Sequence, residues 1–581
     1  MKKIFFLLSM LLAFGMGAQA VPVKPGLKKV LTLADGTTVT AEQKGDEFMG
    51  WWETADGRKF VPGDESGKTF VAADMEAMKA QTAERRNLMA DARAKRMAAA
   101  RGGKQRILGG DHITYTGKKK GLIILVNFTD MKFAEGHDND YYKRVVNTPN
   151  FSGEEGYVGS VRDFFYDQSG GKFELDFDIV GPIELAHAYS WYGKDYSSTR
   201  RDYRVGLMIK EAIEGADEYV DYADYDWDGD GEADQVFVLY AGLGQASGGD
   251  ANTIWPHEYK LSYASEVNYQ PVYCDGIKVD TYACGNENEP IIVNGQLSSN
   301  LKPAGIGTIC HEFSHCLGFP DMYDTSGGSN FAMGTWDMMS AGSYNGDGYR
   351  PCNYTSWERI YAGWTEPIEL TEPATVSQMK SLSDNGRPFI IYNDKYSDEY
   401  YLLENRQLTG WDTDLYGKGL LILHVDYSAT AWSRNIVNYY ADHQRCTIFH
   451  ADNEDGWTYT SSYEGDAYPY MQGNRIFNDE LTDESEPAAS LFNFNSAGTK
   501  LMGKPITNIR SRNTGLVSFK FMGGNSDNVI DNADPTGISG VKMDAAVRKT
   551  GVYSLDGRYL GTDVNALGHG LYIVDGQKVV K

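Results

Sequence analysis

Two histidines and a glutamate have the spacing best suited to chemistry in this 581-residue chain. His311 and His315 are four positions apart, so that on a helix their imidazoles share one face and can bind the same cation. Glu312 follows the first histidine and can reach a metal-bound water without being a ligand itself. The spacing therefore predicts a zinc site in which Glu312 is the general base.

The residues around this group predict the elements that position it. Gly318 tolerates the positive φ at which many helices end, and Pro320 prevents the helix from continuing. The chain then turns back, so that Asp321 can reach the metal as a third ligand. Glu358, further along the chain, is the alternative third ligand. Apolar residues recur at helical spacing and support a helix here: Ile306, Ile309, Cys310, Phe313 and Leu317.

A methionine turn beneath the metal is also predicted. Two histidines, a glycine and a further ligand at this spacing are typical of metzincin zinc peptidases, which have such a turn. Residues 336–343, WDMMSAGS, resemble it, with Met339 as the methionine. An ordinary core methionine is the alternative. Tyr344 or Tyr349, which follow this turn, could support the oxyanion of the reaction.

A separate group of acidic residues predicts a calcium site. Asp226, Asp228 and Asp230 alternate along the chain, as in the first half of an EF-hand loop. The glutamate that usually completes such a loop is missing, so Asp234 would have to complete the ligand set. A plain acidic turn is the alternative to calcium binding.

The N-terminal part of the chain predicts export and latency. Residues 1–20 combine two lysines, an apolar run and a small-residue cleavage site, which is typical of a signal peptide. Residues 21–110 end in a charge-rich helical stretch and a basic, glycine-containing segment that a processing protease could cut. We interpret them as a pro-segment, with an ordinary N-terminal domain as the alternative. Because they contain neither cysteine nor histidine, a carboxylate would have to block the zinc, and Asp46 is the candidate.

The rest of the chain divides by its pattern of apolar residues and turns. Residues 111–370 mix helices with strands and predict an α+β catalytic domain, and residues 371–524 predict an all-β region. Residues 525–540 are rich in Gly, Asn, Asp and Ser and predict a linker. Residues 541–581 predict a small β tail. This tail resembles C-terminal sorting signals that export machinery reads, with a plain β cap as the alternative.

Charge and cysteine content narrow the possible partners and compartments. The formal net charge of −25 argues against nucleic acid as a partner, because nucleic acid needs a basic surface. No stretch after the predicted signal peptide is long and apolar enough to span a membrane. The sequence therefore predicts a protein that is secreted or lies at the cell surface. Six cysteines permit disulfides there, and Cys274 with Cys284 is the expected pair.

Three motifs resemble the immune inhibitor A-like family of secreted bacterial zinc metalloproteases. They are HEFSHCLGFPDMYDT at 311–325, WDMMSAGS at 336–343 and Gly-Trp at 363–364, and the similarity extends over about residues 25–520. The resemblance implies a metzincin-like zinc domain between a pro-segment and β-rich C-terminal parts. It also implies the residues of the site, with Glu312 as the base and His311, His315 and Asp321 as the zinc ligands.

The function implied by this resemblance is endoproteolysis of extracellular proteins by a zymogen that needs zinc and binds calcium. A non-catalytic binding protein on a protease scaffold is one alternative. A zinc amidase that acts on cell-wall peptide is the other.

Overall fold

The computed structural model describes most of the chain, and the statements that follow concern these residues. They are residues 20–63, 67–100, 115–153, 155–293, 296–328, 330–456 and 460–531, with parts of 552–581. The predicted signal peptide, except Ala20, and the basic segment at 102–106 lie outside them. Two compact units divide after Ala533, within the predicted linker 525–540.

The N-terminal segment, residues 20–100, is an antiparallel meander followed by a long helix. Its elements are β1 (Lys28–Thr32), β2 (Thr38–Gly45), β3 (Gly50–Thr54), β4 (Lys59–Pro62), β5 (Phe70–Ala72) and α1 (Met75–Ala100). Each strand pairs with the next one in the chain. The chain before β1, residues 20–27, is extended rather than helical.

The described residues of the central part form eight strands and six α-helices, and all of these strands belong to one mixed sheet except β10 and β11, which pair only with each other. The strands are β6 (Gly117–Asn127), β7 (Phe173–Glu184), β8 (Val236–Leu243), β9 (His257–Lys260), β10 (Val272–Cys274), β11 (Ile277–Val279), β12 (Thr281–Val293) and β13 (Gln296–Pro303). The helices are α2 (Asn139–Asn147), α3 (Val161–Gln168), α4 (Tyr189–Tyr192), α5 (Val205–Ala216), α6 (Gly307–Ser314) and α7 (Ser356–Tyr361).

The N-terminal segment and the central part share one sheet. Its order is β5-β4-β3-β2-β1-β13-β12-β8-β6-β7, with β9 also paired to β12. Strand β1 joins β13 in parallel at Lys28 and Gln296, so the N-terminal meander extends the central sheet. The N-terminal segment therefore lies directly beside β13, next to the strands of the central part.

Strand β6 shows why the centre of this sheet is buried on both faces. Ile123 and Leu125 belong to one hydrophobic core, whereas Leu122 and Ile124 belong to a second core on the opposite face. Alternate side chains of a strand point to opposite faces, and a continuous apolar run is typical of a strand covered on both. Helix α6 contributes Phe313 to the first core, and this contact fixes the helix against the sheet.

The C-terminal part of the first unit is rich in strands. They are β14 (Ile368–Glu369), β15 (Ala374–Met379), β16 (Phe389–Tyr392), β17 (Glu399–Arg406), β18 (Gly419–Asp426), β19 (Cys446–Ile448), β20 (Tyr470–Gln472), β21 (Arg475–Asn478), β22 (Ile506–Ser511), β23 (Val517–Phe521) and β24 (Val529–Ile530). Two short helices, α8 (Ala429–Ser433) and α9 (Thr460–Tyr463), lie between them. Leu402 and Leu421 share the core that contains Phe313, so this part packs directly behind the site.

The second unit is a small four-stranded sheet. Its strands are β25 (Val552–Tyr553), β26 (Tyr559–Gly561), β27 (Leu571–Val574) and β28 (Gln577–Val580), in the order β26-β25-β27-β28. The fold class expected from the sequence is thus confirmed at its coarser level, as a mixed α/β domain with β-rich regions. Within the described residues, no helix is long and apolar enough to cross a membrane.

The expected disulfide is wrong. All six cysteines are buried and free. Cys274 ends β10, which pairs with β11, whereas Cys284 lies inside β12 between β8 and β9. Nearness in sequence therefore did not place the two thiols together.

Candidate active site

Helix α6 and the turn that follows it bring together the residues that the sequence singled out. His311 lies on the helix, and His315 begins the 3-10 turn His315–Leu317. The Oδ1 atom of Asp321 lies 3.0 Å from Nε2 of His311 and 3.6 Å from Nε2 of His315. One donor atom from each residue lies within 4.8 Å of the others, and all three residues are buried. Glu358 is not part of this group.

Backbone carbonyls orient both imidazoles. Nδ1 of His311 lies 2.9 Å from the carbonyl oxygen of Met338, and Nδ1 of His315 lies 2.8 Å from that of Phe319. A carbonyl oxygen can only accept, so each Nδ1 carries the proton and each Nε2 keeps its lone pair. The two lone pairs are thus available for a metal on the side where Asp321 lies.

Gly318 and Asn435 place the carboxylate of Asp321. Gly318 has a φ of +87°, in the left-handed region that glycine adopts at helix ends, and the chain reverses there. Asn435 accepts a hydrogen bond from the backbone N–H of Asp321 at 2.7 Å and donates one to its Oδ2 at 2.6 Å. With Oδ2 held in this way, Oδ1 faces the two histidines. No sequence motif indicated Asn435, which lies after α8 in the β-rich part.

The donor set fits a zinc ion. Two imidazole nitrogens and one carboxylate oxygen are a typical ligand set of catalytic zinc, which keeps its fourth position for water or substrate. Glu312 lies beside them, fully buried, and its Oε2 atom has no hydrogen-bond partner among the described residues. A water on the metal would give this oxygen a partner.

Electrostatics in the site favour a bound cation. Burial raises the pKa of the Glu312 carboxyl well above its ordinary value. The hydrogen bond from Val21 opposes this rise, whereas the nearby carboxylate of Asp321 adds to it. Two buried carboxylates in one site are costly unless a cation compensates their charge.

A peptide bond of the chain itself lies at the catalytic group. The backbone N–H of Val21 donates to Oε1 of Glu312 at 2.6 Å. The hydroxyl of Tyr323 donates to the carbonyl oxygen of Ala20 at 2.8 Å. Glu312 and Tyr323 therefore contact opposite ends of the peptide bond between Ala20 and Val21. No sequence motif indicated Tyr323, although it lies only two residues after Asp321.

Further hydrogen bonds hold residues 21–24 in place, and we call the space that residues 20–24 fill beside Glu312 the cleft. Nε1 of Trp255 donates to the carbonyl of Val21 at 3.2 Å, and the hydroxyl of Tyr344 donates to that of Pro22 at 2.7 Å. The backbone N–H of Lys24 donates to Ala246 at 3.0 Å. Residues 20–24 thus occupy the cleft above Glu312.

The remaining predicted residues lie near the site but make other contacts. Met339 is buried, and its carbonyl accepts from the N–H of Met322 at 2.7 Å, while the neighbouring Met338 supports His311. Tyr349 donates to the carbonyl of Pro303 at 2.5 Å and makes no hydrogen bond to the residues in the cleft.

Asp46 and Glu358 are engaged elsewhere. The Oδ1 atom of Asp46 accepts from the N–H groups of Phe48 and Met49, and its Oδ2 pairs with Arg86 of α1 at 2.7 Å. The carboxylate of Asp46 therefore caps a turn of the N-terminal segment, and Val21 makes the contact to Glu312 instead. Glu358 lies in α7, where the Thr355 hydroxyl binds its Oε2.

The predicted calcium loop lies between the 3-10 turn Tyr222–Tyr225 and β8. Asp226, Asp228 and Asp230 each offer an oxygen within 4.8 Å of the others, and the last two are exposed. Asp234 lies outside this group, with its Oδ2 bound to the N–H of Trp227 at 2.6 Å. The loop leads into a strand, so the two-helix arrangement of an EF-hand is not formed.

Comparisons with known proteins agree with this geometry. Residues 113–364 match the family model described as immune inhibitor A peptidase M6, catalytic domain. The pre-pro-metalloprotease PrtV of Vibrio cholerae is 26% identical over 326 residues, which cover 47% of this chain and 34% of that protein. Immune inhibitor A of Bacillus thuringiensis subsp. alesti is 23% identical over 310 residues, which cover 46% of this chain and 43% of that protein. The chain thus spans less than half the length of either relative.

These matches define the class of the site. The His–His–Asp group and Glu312 all lie inside the matched segment 113–364, so the candidate ligands fall in the part of the chain that is similar to a metallopeptidase catalytic domain. The resemblance to the immune inhibitor A family that the motifs indicated is confirmed. The family model and the two metalloprotease relatives also support the expected enzyme class, a metalloendopeptidase.

Proposed function

We propose that this protein is an exported zinc endopeptidase, produced as a latent precursor, that hydrolyses peptide bonds of extracellular proteins. The observation that carries the proposal is the position of Glu312. It lies beside the His–His–Asp group and contacts a peptide nitrogen of the chain in the cleft, at 2.6 Å. In a zinc peptidase the general base must reach both the metal and the peptide bond of the substrate, and Glu312 is placed to reach both.

His311, His315 and Asp321 would hold the zinc, which when bound supplies a Lewis acid and lowers the pKa of its water toward neutrality. Glu312 is placed to take a proton from a water beside its Oε2 atom as that water attacks the peptide carbonyl. The same carboxylate delivers the proton to the leaving nitrogen, which it can reach, because it already contacts the nitrogen of Val21. Tyr323 is placed to donate a hydrogen bond to the carbonyl oxygen as negative charge develops there.

Latency follows from the path of residues 20–24. They fill the cleft, so a protein substrate cannot reach Glu312 until the N-terminal segment leaves. Removal of a signal peptide after Ala20 would turn the N–H of Val21 into an α-amino group, and its charge would strengthen the contact with Glu312. In this proposal Val21 takes the blocking role expected of Asp46, which instead stabilises the turn packed on α1. Cleavage after α1, near residues 102–106, would release the segment.

Two further parts of the chain complete the proposal. The loop of Asp226, Asp228 and Asp230 would bind calcium, which is plentiful outside cells, and would stiffen the turn before β8. The β sheet of residues 552–580 would serve as a sorting signal for export machinery. Both assignments rest on residue pattern and on the geometry of these segments.

The test is hydrolysis of casein by the purified, processed chain with and without a zinc chelator. Glu312→Ala should lose activity by about 10²- to 10⁴-fold, because it removes the only proton carrier at the metal. Glu358→Gln is the matched control, a second fully buried glutamate outside the site, and should keep activity. Activity that survives both chelation and Glu312→Ala would overturn the proposal. A folded, zinc-loaded chain that cleaves no protein would instead favour a binding protein or a cell-wall amidase.

A further inference from the structure

Two carboxylates, one buried and one half exposed, bind the ammonium group of Lys24 at the far end of the cleft. Nζ of Lys24 lies 2.5 Å from Glu289 on β12 and 3.0 Å from Asp347. The side chains of Lys24 and Glu289 are 7% and 4% exposed, whereas that of Asp347 is 55% exposed. Burial lowers the pKa of Lys24, but the two carboxylates more than offset this and raise it.

The position of the N-terminal segment shows how far Glu289 and Asp347 lie from the bond that would be cut, counted in residues of the bound chain. Glu312 contacts the nitrogen of Val21, which is the nitrogen that would leave if the bond before Val21 were cut. Val21 therefore has the position of the first residue after the scissile bond of a substrate. Lys24 is then the fourth residue, and its backbone N–H is held by Ala246 on the rim of the cleft.

The pair lacks a cation once the N-terminal segment leaves. Within the described residues, the hydroxyl of Ser247, at 3.2 Å, is then the one hydrogen-bond donor that still contacts the Glu289 side chain. Asp347 keeps Lys302 at 2.5 Å, so one lysine remains for two carboxylates. A carboxylate in a poorly hydrated position gains strongly from a paired cation, and hydrogen bonds between charged groups are the stronger kind.

We propose that Glu289 and Asp347 form a specificity subsite that binds the lysine or arginine side chain of a protein substrate at the fourth residue after the scissile bond. This inference rests on the proposed peptidase function and adds a sequence preference to it. Lys24 occupies the subsite in the latent chain, so the same contact that will select substrates also retains the N-terminal segment.

The experiment uses the processed chain and synthetic peptides that differ only at the fourth residue after the cleaved bond. Lysine and arginine peptides should be cleaved with a kcat/KM about tenfold or more above that of the alanine peptide, and the glutamate peptide should be slowest. Glu289→Gln should bring the ratio of lysine to alanine peptides close to one, and Asp347→Asn should reduce it in part. Because Asp347 is half exposed, its variant tests the subsite even if Glu289→Gln fails to fold.

Asp280→Asn is the matched control. Asp280 is a buried carboxylate directly before β12 that is also paired with a lysine, Lys278 at 2.9 Å, and does not contact residues 20–24. This variant should keep the preference for lysine. A ratio that falls equally in Asp280→Asn and Glu289→Gln would overturn the subsite, since it would reflect general damage to β12.

A binding measurement separates failure of the subsite from failure of the peptidase function. A fluorescent peptide of residues 21–30 should bind the processed Glu312→Ala chain more tightly than the same peptide carrying Lys24→Ala, by about tenfold. Equal binding of the two peptides, or equal cleavage of lysine and alanine peptides, would overturn the subsite and leave the peptidase standing. Loss of all cleavage with a preserved difference in binding would overturn the peptidase function instead.

Discussion

The His–His–Asp group and the aspartate loop are both compact sets of candidate metal ligands, but the chain builds them in opposite ways. His311, His315 and Asp321 are buried and oriented by groups outside the set. In the loop, the carboxylate of Asp226 instead accepts hydrogen bonds from backbone N–H groups of its own turn. The first group depends on the tertiary fold, whereas the second is a local feature.

This difference bears on what each group is for. Burying polar and charged groups costs free energy unless they are paired, so a buried ligand set persists only where the surrounding fold supports it. Carboxylates that remain in water and cap their own turn carry almost no such cost. We therefore expect substitutions in the buried group to change chemistry, and substitutions in the loop to change local stability alone.

Removal of a buried ligand should have the largest effect. His311→Ala leaves two ligands, so the purified chain should hold less than one zinc per molecule and lose activity by at least the ~10²- to 10⁴-fold expected of Glu312→Ala. Zinc content by mass spectrometry and casein hydrolysis measure both effects. The control is His450→Ala, a mostly buried histidine that pairs with Asp466 and is not part of the ligand group, and this variant should keep its zinc. Full zinc occupancy in His311→Ala would contradict the assigned ligand set.

Tyr323→Phe separates positioning of the carbonyl from metal binding. The change removes one hydroxyl that donates to the carbonyl oxygen of Ala20 and leaves the ligands intact. Loss of one oxyanion donor typically costs about 10²-fold in kcat, so kcat should fall while zinc content stays at one. Tyr344→Phe is the comparison, because its hydroxyl contacts the carbonyl of Pro22, two residues further on. Tyr344→Phe should raise KM more than it lowers kcat, because Tyr344 helps to bind the chain and does not contact the reacting bond. If Tyr344→Phe lowered kcat and Tyr323→Phe raised KM instead, the roles assigned to the two tyrosines would be exchanged.

Asn435→Ala tests whether the fold outside the matched domain supports the metal. Without the amide, Asp321 loses both hydrogen bonds that fix it, and such supporting contacts typically change metal affinity by about 10- to 100-fold. Zinc affinity, measured by competition with a chelator, should weaken accordingly. Asn405→Ala removes an equally buried asparagine that binds the carbonyls of Met379 and Gly515. An equal loss of affinity in both variants would mean that Asn435 acts only through stability.

Sequence reasoning succeeded where the information was local. The helix predicted from the apolar residues between Ile306 and Leu317 is present as α6 and the 3-10 turn after it, because its apolar face and its end at Gly318 are both set by nearby residues. Asp321 could be placed near the histidines because Gly318 and Pro320 fix a reversal only a few residues long. Every contact that these predictions needed was encoded within about ten residues.

The contacts that sequence reasoning missed connect distant parts of the chain. Asn435 is 114 residues from Asp321, and Val21 is 291 residues from Glu312. Such pairs depend on how β1 joins β13 and on how the residues after α8 reach the turn that holds Asp321, which no single-sequence pattern specifies. Asp46 was the expected blocker because residues 21–110 contain neither cysteine nor histidine, which left a carboxylate as the group to block the zinc. The structure instead places a backbone N–H at the catalytic glutamate.

The aspartate loop should give the smallest effect. Asp228 is exposed and accepts one hydrogen bond, from the N–H of Asp230 at 3.2 Å, so Asp228→Asn removes charge with little change in shape. A site with millimolar affinity adds roughly 0.4–1.4 kcal/mol of stability at 1 mM calcium. The wild-type chain should therefore melt at a slightly higher temperature with calcium than without it, and the variant should lose that difference while keeping its zinc. If Asp228→Asn instead removed zinc or peptidase activity, the two groups would be coupled, and the local character assigned to the loop would be wrong.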